Sequence, residues 1–138
     1  MMRILDTIPF QFVPQGSMGP QLRFWTCTLG YETLVSLPPN DPSNPDFVAL
    51  QQDDRGVMLR TLASAENDMP SVVPFVGSPG VALYHKVDSL KGFDAEAEGL
   101  RVLLGVRETS YGALEVWVRD PAGYVHAFGE KVVHGRRV

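Results

Sequence analysis

The sequence predicts an α+β fold built from two copies of one βαβββ module. Three observations predict it. The first is residues 109–130, where an apolar alternation (Leu114, Val116, Val118) runs into Asp120-Pro121-Ala122-Gly123 and a second run, Tyr124 to Phe128, follows at once. Pro121 presets φ for a tight turn and Gly123 can take positive φ, so this reads as two antiparallel strands and their hairpin. The second is a weak internal repeat. Asp53-Asp54-Arg55-Gly56 echoes Asp120-Pro121-Ala122-Gly123, at the same offset Phe47-Val48-Ala49-Leu50 falls on Leu114-Glu115-Val116-Trp117, and Leu29-Gly30-Tyr31 pairs with Glu98-Gly99-Leu100. The third is that both copies carry one order of elements: strand, helix, then three strands.

In the first copy, Ile8 to Val13 reads as a strand with Phe10 and Phe12 on one face. Ser17 or Gly19 caps a helix with Pro20 in its first turn. Met18, Leu22, Trp25 and Leu29 form its apolar stripe, and Gly30 ends it. Strands follow near 31–37, 46–52 and 56–62, with a proline-rich loop from Pro38 to Pro45 between the first two. In the second copy, Val81 to Val87 is a strand. Asp88 or Ser89 caps a helix whose stripe is Leu90, Phe93, Ala97 and Leu100, closed by Gly99. Strands follow near 101–107, 113–119 and 123–130. One domain is expected over 1–138, with module 1 at about 7–62, a linker at 63–79 and module 2 at about 80–131. The linker holds Pro70, Pro74 and Pro79 beside Val72, Val73, Phe75 and Val76, apolar residues that need cover from a partner, the pocket or the chain's own sheet. The tail from His134 to Val138 reads as frayed and solvated.

Composition excludes several classes. The chain has 138 residues, enough for one compact unit or two small halves sharing a core. Its 44% hydrophobic and 20% charged residues are ordinary for a soluble globular protein. No apolar run approaches a membrane span, and Asp6 and Pro9 come too early for a signal peptide. A net charge of −4 argues against nucleic acid as a partner. The single Cys27 cannot form an internal disulfide; it suits a reducing, cytoplasmic setting and reads as a packing residue of the first helix.

The Arg119-Asp120-Pro121-Ala122-Gly123 turn resembles the last hairpin of the glyoxalase/bleomycin-resistance/dioxygenase (vicinal oxygen chelate) superfamily. Upstream, Leu22 to Thr26 followed by Leu29-Gly30-Tyr31-Glu32 resembles that family's first helix and the entry to its second strand. Phe24-Trp25-Thr26 and the turn are most similar to the bleomycin-resistance-type binding proteins. Tyr111-Gly112 and Glu115 match the approach to the turn, with one extra residue between Gly112 and Glu115. The resemblance covers roughly residues 7–131. It implies curved mixed sheets forming a cleft, a homodimer, and in many members a divalent metal held by the first and last strands of each module.

Those ligand positions fall near Ile8 or Pro9, Leu59 or Arg60, Ala82 and Ala127, none a competent donor. His126 would serve only if the strand register slipped by one residue, and Gln11 lies three places from its slot. No metal and no other cofactor is therefore expected. His85, among Val81, Leu83 and Val87, reads as a half-buried, hydrogen-bonded histidine on the helix-packed face. His126, alternating with Tyr124 and Phe128, reads the same way.

If the register holds, the cleft face includes Tyr84 and Lys86, Glu115 and Trp117, with Arg60 joining and Tyr111 at the mouth. Aromatics with a few placed polar groups suit a small organic molecule. Trp117 and Tyr84 would stack on a planar or cationic ligand, Glu115 would pair with a cation, and Arg60 or Lys86 with an acid. Against this stand a Glu115–Lys86 cross-strand salt bridge and a Trp117 that is simply core. The function expected is metal-independent small-molecule binding of the bleomycin-resistance type, with antibiotic sequestration as its use. The alternatives are a metal-dependent lyase, isomerase or extradiol-type dioxygenase of the same superfamily, and a non-catalytic dimer with another ligand.

Overall fold

The computed structural model describes residues 2–132. The elements run β1 (Ile4–Val13), α1 (Met18–Arg23), β2 (Glu32–Leu37), β3 (Phe47–Gln52), β4 (Arg55–Thr61), α2 (Leu62–Asp68), β5 (Gly80–Val87), β6 (Arg101–Glu108), β7 (Ala113–Arg119) and β8 (Val125–Lys131).

 

Among the described residues the chain divides into two compact units, Ile8–Val81 and a second that holds the described residues up to Thr7 and from Ala82 on. His134 and the rest of the tail lie outside the described residues.

In the unit Ile8–Val81 the strands lie in the order β2-β3-β4-β1. β1 runs parallel to β4, with Phe10 opposite Met58, and the other pairs are antiparallel. The period of two in β1 sends Phe10 and Phe12 to one face, their ring centroids 5.1 Å apart, and Phe10 meets Phe47 at 6.2 Å. On the other face Val13, Val48, Leu50, Val57 and Leu59 form a buried cluster with Met18 of α1, and Leu22, Trp25 and Tyr31 pack against it.

Three expectations for this unit need correction. The helical stripe does not reach Leu29. After Arg23 the backbone widens into a π-helical turn, Phe24–Thr28, and the Leu29 N–H donates to the Phe24 carbonyl at 3.0 Å. The wider turn rotates Leu29 off the stripe, leaving it 38% exposed, and Tyr31 takes the place edge-on to Trp25. The β3–β4 hairpin turns over Asp53-Asp54, with Gln52 opposite Arg55, so Gly56 lies in β4 and is no counterpart of Gly123. The segment expected as a linker opens with α2. Thr61 caps it, its hydroxyl accepting from the Ser64 N–H at 3.2 Å, and Leu62, Ala65 and Met69 are buried along one side. Val72 beyond it is buried, whereas Phe75 is exposed.

In the other unit the strands lie in the order β5-β8-β7-β6, with β5 parallel to β8 and the other pairs antiparallel. This repeats the topology of the first. The helix expected after Asp88 does not form: residues 88–100 are a succession of turns. Gly92 (φ 76°) and Gly99 (φ 78°) both take left-handed backbone, and the Gly92 kink cuts the stripe inside its first turns. Its apolar residues keep their task. Leu90 and Ala95 are buried with Val87, Val116 and Val118, and Phe93, Leu100 and Phe128 pack against them. No helix among the described residues is long and apolar enough to cross a membrane.

Candidate functional site

Strand periodicity decides what β7 presents. Val116 and Val118 face the apolar cluster beneath residues 88–100, so Glu115 and Trp117 must face the other way. Both are fully buried. Glu115 is held by three donors. The Trp117 Nε1–H donates to Oε1 at 2.9 Å, the Tyr84 hydroxyl donates to Oε2 at 2.7 Å, and the Tyr111 hydroxyl donates to Oε2 as well. Tyr111 reaches from the β6–β7 turn, where the Ala113 N–H donates to Thr109 Oγ1 and Gly112 (φ 83°) allows the tight return.

Gly129 makes this arrangement possible. It pairs with Lys86 on β5 and with Glu115 on β7, so the two sit in one cross-strand row. Tyr84 leans diagonally over Gly129 to reach Glu115; a Cβ at 129 would lie 2.0 Å from the Tyr84 hydroxyl oxygen.

Burial pushes the Glu115 carboxyl above its ordinary range, against the pull of its three donors and of the Arg107 charge. Tyr84 is pushed far above its ordinary value of 10.0 by burial, by the Glu115 charge and by the bond that holds its proton. A buried carboxylate costs several kcal/mol to desolvate, and donors to a charged acceptor return about 1.5–3 kcal/mol each.

Of the six residues expected at the site, Tyr84, Tyr111, Glu115 and Trp117 come together. Lys86 is exposed on β5, and Glu115 takes its hydrogen bonds from the aromatic residues, not from a Lys86 salt bridge. Arg60 lies in the other unit, buried and bound to α2: its Nε donates to Ser64 Oγ at 3.0 Å and its Nη1 to Asp68 at 2.9 Å. Sequence reasoning missed Arg107, which β6–β7 pairing sets opposite Glu115. Counting back across the 109–112 turn would have found it.

The histidines lie on the face opposite Glu115. His126 is opposite Leu83 in the β5–β8 pairing, and His85 stacks on Phe128 at 4.9 Å. The register that would turn His126 to the Glu115 side is not adopted.

Neither a protein-family profile nor a curated protein sequence matches the chain. Solved structures do. A glyoxalase/bleomycin resistance protein/dioxygenase superfamily member from Vibrio splendidus is 20% identical, with 95% of this chain and 100% of that chain covered and a TM-score of 0.59. Methylmalonyl-CoA epimerase from Mycobacterium tuberculosis is 15% identical, covering 94% and 90%, with a TM-score of 0.67. The 2,3-dioxygenase LapB from Pseudomonas is 10% identical over 91% of this chain and 42% of its own, with a TM-score of 0.61.

The chain has the glyoxalase/bleomycin-resistance/dioxygenase fold. The divalent metal that this fold implies does not fit the residues present. At the expected ligand positions Ile8 and Leu59 are buried hydrophobics, Arg60 is bound to α2, and Ala82 and Ala127 offer only methyl groups. Gln11 accepts from Gln21 of α1 at 2.9 Å. Among the described residues no three His, Cys, Asp or Glu side chains gather to hold a metal.

Proposed function

We propose that this glyoxalase-fold chain is a metal-independent binder of a cationic, partly aromatic small molecule, of the bleomycin-resistance type. The observation that carries the reading is Glu115: a buried carboxylate with a raised pKa, ringed by Tyr84, Tyr111 and Trp117. Two phenols and an indole are side chains of the type that attracts a cation, and the carboxylate carries the opposite charge in a desolvated setting. The three donors hold the carboxylate before the ligand arrives, which cuts the ordering cost of binding. A metal-dependent lyase, isomerase or dioxygenase is disfavoured by the donor set. Sequestration of an antibiotic is the use this reading assigns, in the cytoplasm, where the exposed thiol of Cys27 is kept reduced. The partner is a second copy. β6 ends the strand order of its unit and exposes Val102 and Val106, an apolar edge of the kind that pairs with another chain.

The test follows from the protonation of Glu115. A cation binds its ionised form, so binding releases a proton and affinity rises with pH above the ordinary carboxylate range. Calorimetric titration with a bleomycin-class glycopeptide should show both effects. Glu115→Gln should abolish the pH dependence and weaken binding at least about tenfold, the equivalent of ~1.4 kcal/mol. Equal affinity and equal pH dependence in the variant would sink the assignment.

A further inference from the structure

On the face opposite Glu115 four polar side chains form an unbroken chain. Thr7 Oγ1 lies 2.8 Å from His85 Nδ1, His85 Nε2 lies 2.9 Å from His126 Nδ1, and His126 Nε2 lies 2.8 Å from Asp120 Oδ2. Residues from β1, β5, β8 and the β7–β8 turn meet here, and the site just described uses none of them. Phe128 stacked on His85 fixes the ring plane, and the two imidazoles are within 13° of parallel.

The donors can be ordered. Hydrogen bonding to His126, with support from two backbone N–H groups, lowers the Asp120 pKa, so Asp120 is the acceptor at the chain's end. His126 therefore carries a proton on Nε2 and, in this tautomer, accepts at Nδ1. His85 then donates from Nε2 and accepts at Nδ1, where the Thr7 hydroxyl donates. The Thr7 proton thus points into a relay that ends at a carboxylate. Burial, helped by the His126 charge, lowers the His85 pKa, which keeps this ring neutral and able to accept.

We propose that Thr7 is the nucleophile of an acyl-transfer site, with His85 as its general base and His126 and Asp120 as positioning residues. In this step the Thr7 oxygen bonds to the acyl carbon of an activated ester and the bond from that carbon to the leaving alkoxide or aryloxide breaks. The Thr7 proton goes to His85 Nδ1, and the His85 Nε2 proton passes to His126, leaving the positive charge against Asp120. Return of one proton to the leaving oxygen restores neutrality, and water then hydrolyses the acyl-threonine. The substrate class is an ester with an apolar acyl or aryl group. Leu5, two residues before Thr7, Leu83 beside His126, and Tyr124, two residues before it, are exposed apolar neighbours that such a group would cover.

The experiment uses p-nitrophenyl acetate and the full chain carrying Cys27→Ser, which removes the exposed thiol as a competing nucleophile. Release of p-nitrophenol is followed, and peptide mass spectrometry locates the acetyl group. The expected result is one acetyl on Thr7, lost in Thr7→Ala, restored in Thr7→Ser, and formed about 100-fold more slowly in His85→Gln. The rate should rise with pH to a midpoint below the ordinary histidine value of 6.5. Asp120→Asn should slow acetylation at saturating ester while KM stays unchanged, because the positive charge left on the relay loses its counter-ion; a merely structural Asp120 would leave the rate in place. Circular dichroism confirms that each variant is folded. No acetyl on Thr7 in folded protein, or acetyl on lysines alone, would overturn the proposal.

Discussion

At the scale of the residue, Gly129 governs the candidate site more than any charged group does. Without a side chain it leaves Tyr84 room to cross to Glu115, and the burial of Glu115 depends on that bond. Gly129→Ala should displace Tyr84 and destabilise the protein by about 1–3 kcal/mol, read as a fall in Tm. An unchanged Tm would mean that Tyr84 can leave Glu115 at no cost. The alternation in β7 was legible in the sequence and placed Glu115 and Trp117 on one face. Tyr84 could be put on that face but not joined to Glu115, because the diagonal reach over Gly129 depends on cross-strand pairing. Lys86 does share a row with Glu115, but that the carboxylate is held by aromatic donors was not readable from the row alone.

At the scale of the element, the strands were legible, and of the helices only the start of α1 was, at Ser17 and Met18. Period-two patterns over 4–8 residues report a half-buried strand directly. The stripe at 90–100 has helical spacing, yet Gly92 and Gly99 turn the backbone left-handed, and burial of Leu90 and Ala95 is met by turns instead. Tertiary packing rewards where apolar side chains end, whatever backbone brings them there. The opposite error occurred at Leu62–Asp68, where nearby prolines masked a short helix held by its cap. Thr61→Ala should cost about 1 kcal/mol, measured by denaturant titration, since the Ser64 N–H loses its acceptor. A change within error would show that packing of Leu62 and Ala65 alone holds α2.

At the scale of the whole molecule, His85 couples stability to pH. His85 has a lowered pKa in the folded state, so between that value and 6.5 the unfolded chain binds more protons than the folded one. Stability should therefore rise with pH through this window and be lost on acidification below about 6.5. Tm followed across it in wild type and His85→Gln should show a slope in the first that is shallower in the second; equal slopes would assign the effect elsewhere. The duplicated topology was visible in the sequence as a faint repeat, whereas the fold's ligand chemistry was visible only through the absence of donors at Ile8, Ala82 and Ala127. The claim that matters most is binding at Glu115 without metal. Calorimetric titration of the purified protein with a bleomycin-class glycopeptide, in excess EDTA, tests it most directly. Saturable binding that the chelator leaves intact is the expected result; binding that appears only when Zn²⁺, Ni²⁺, Mn²⁺ or Fe²⁺ replaces the chelator would rule out the metal-independent site.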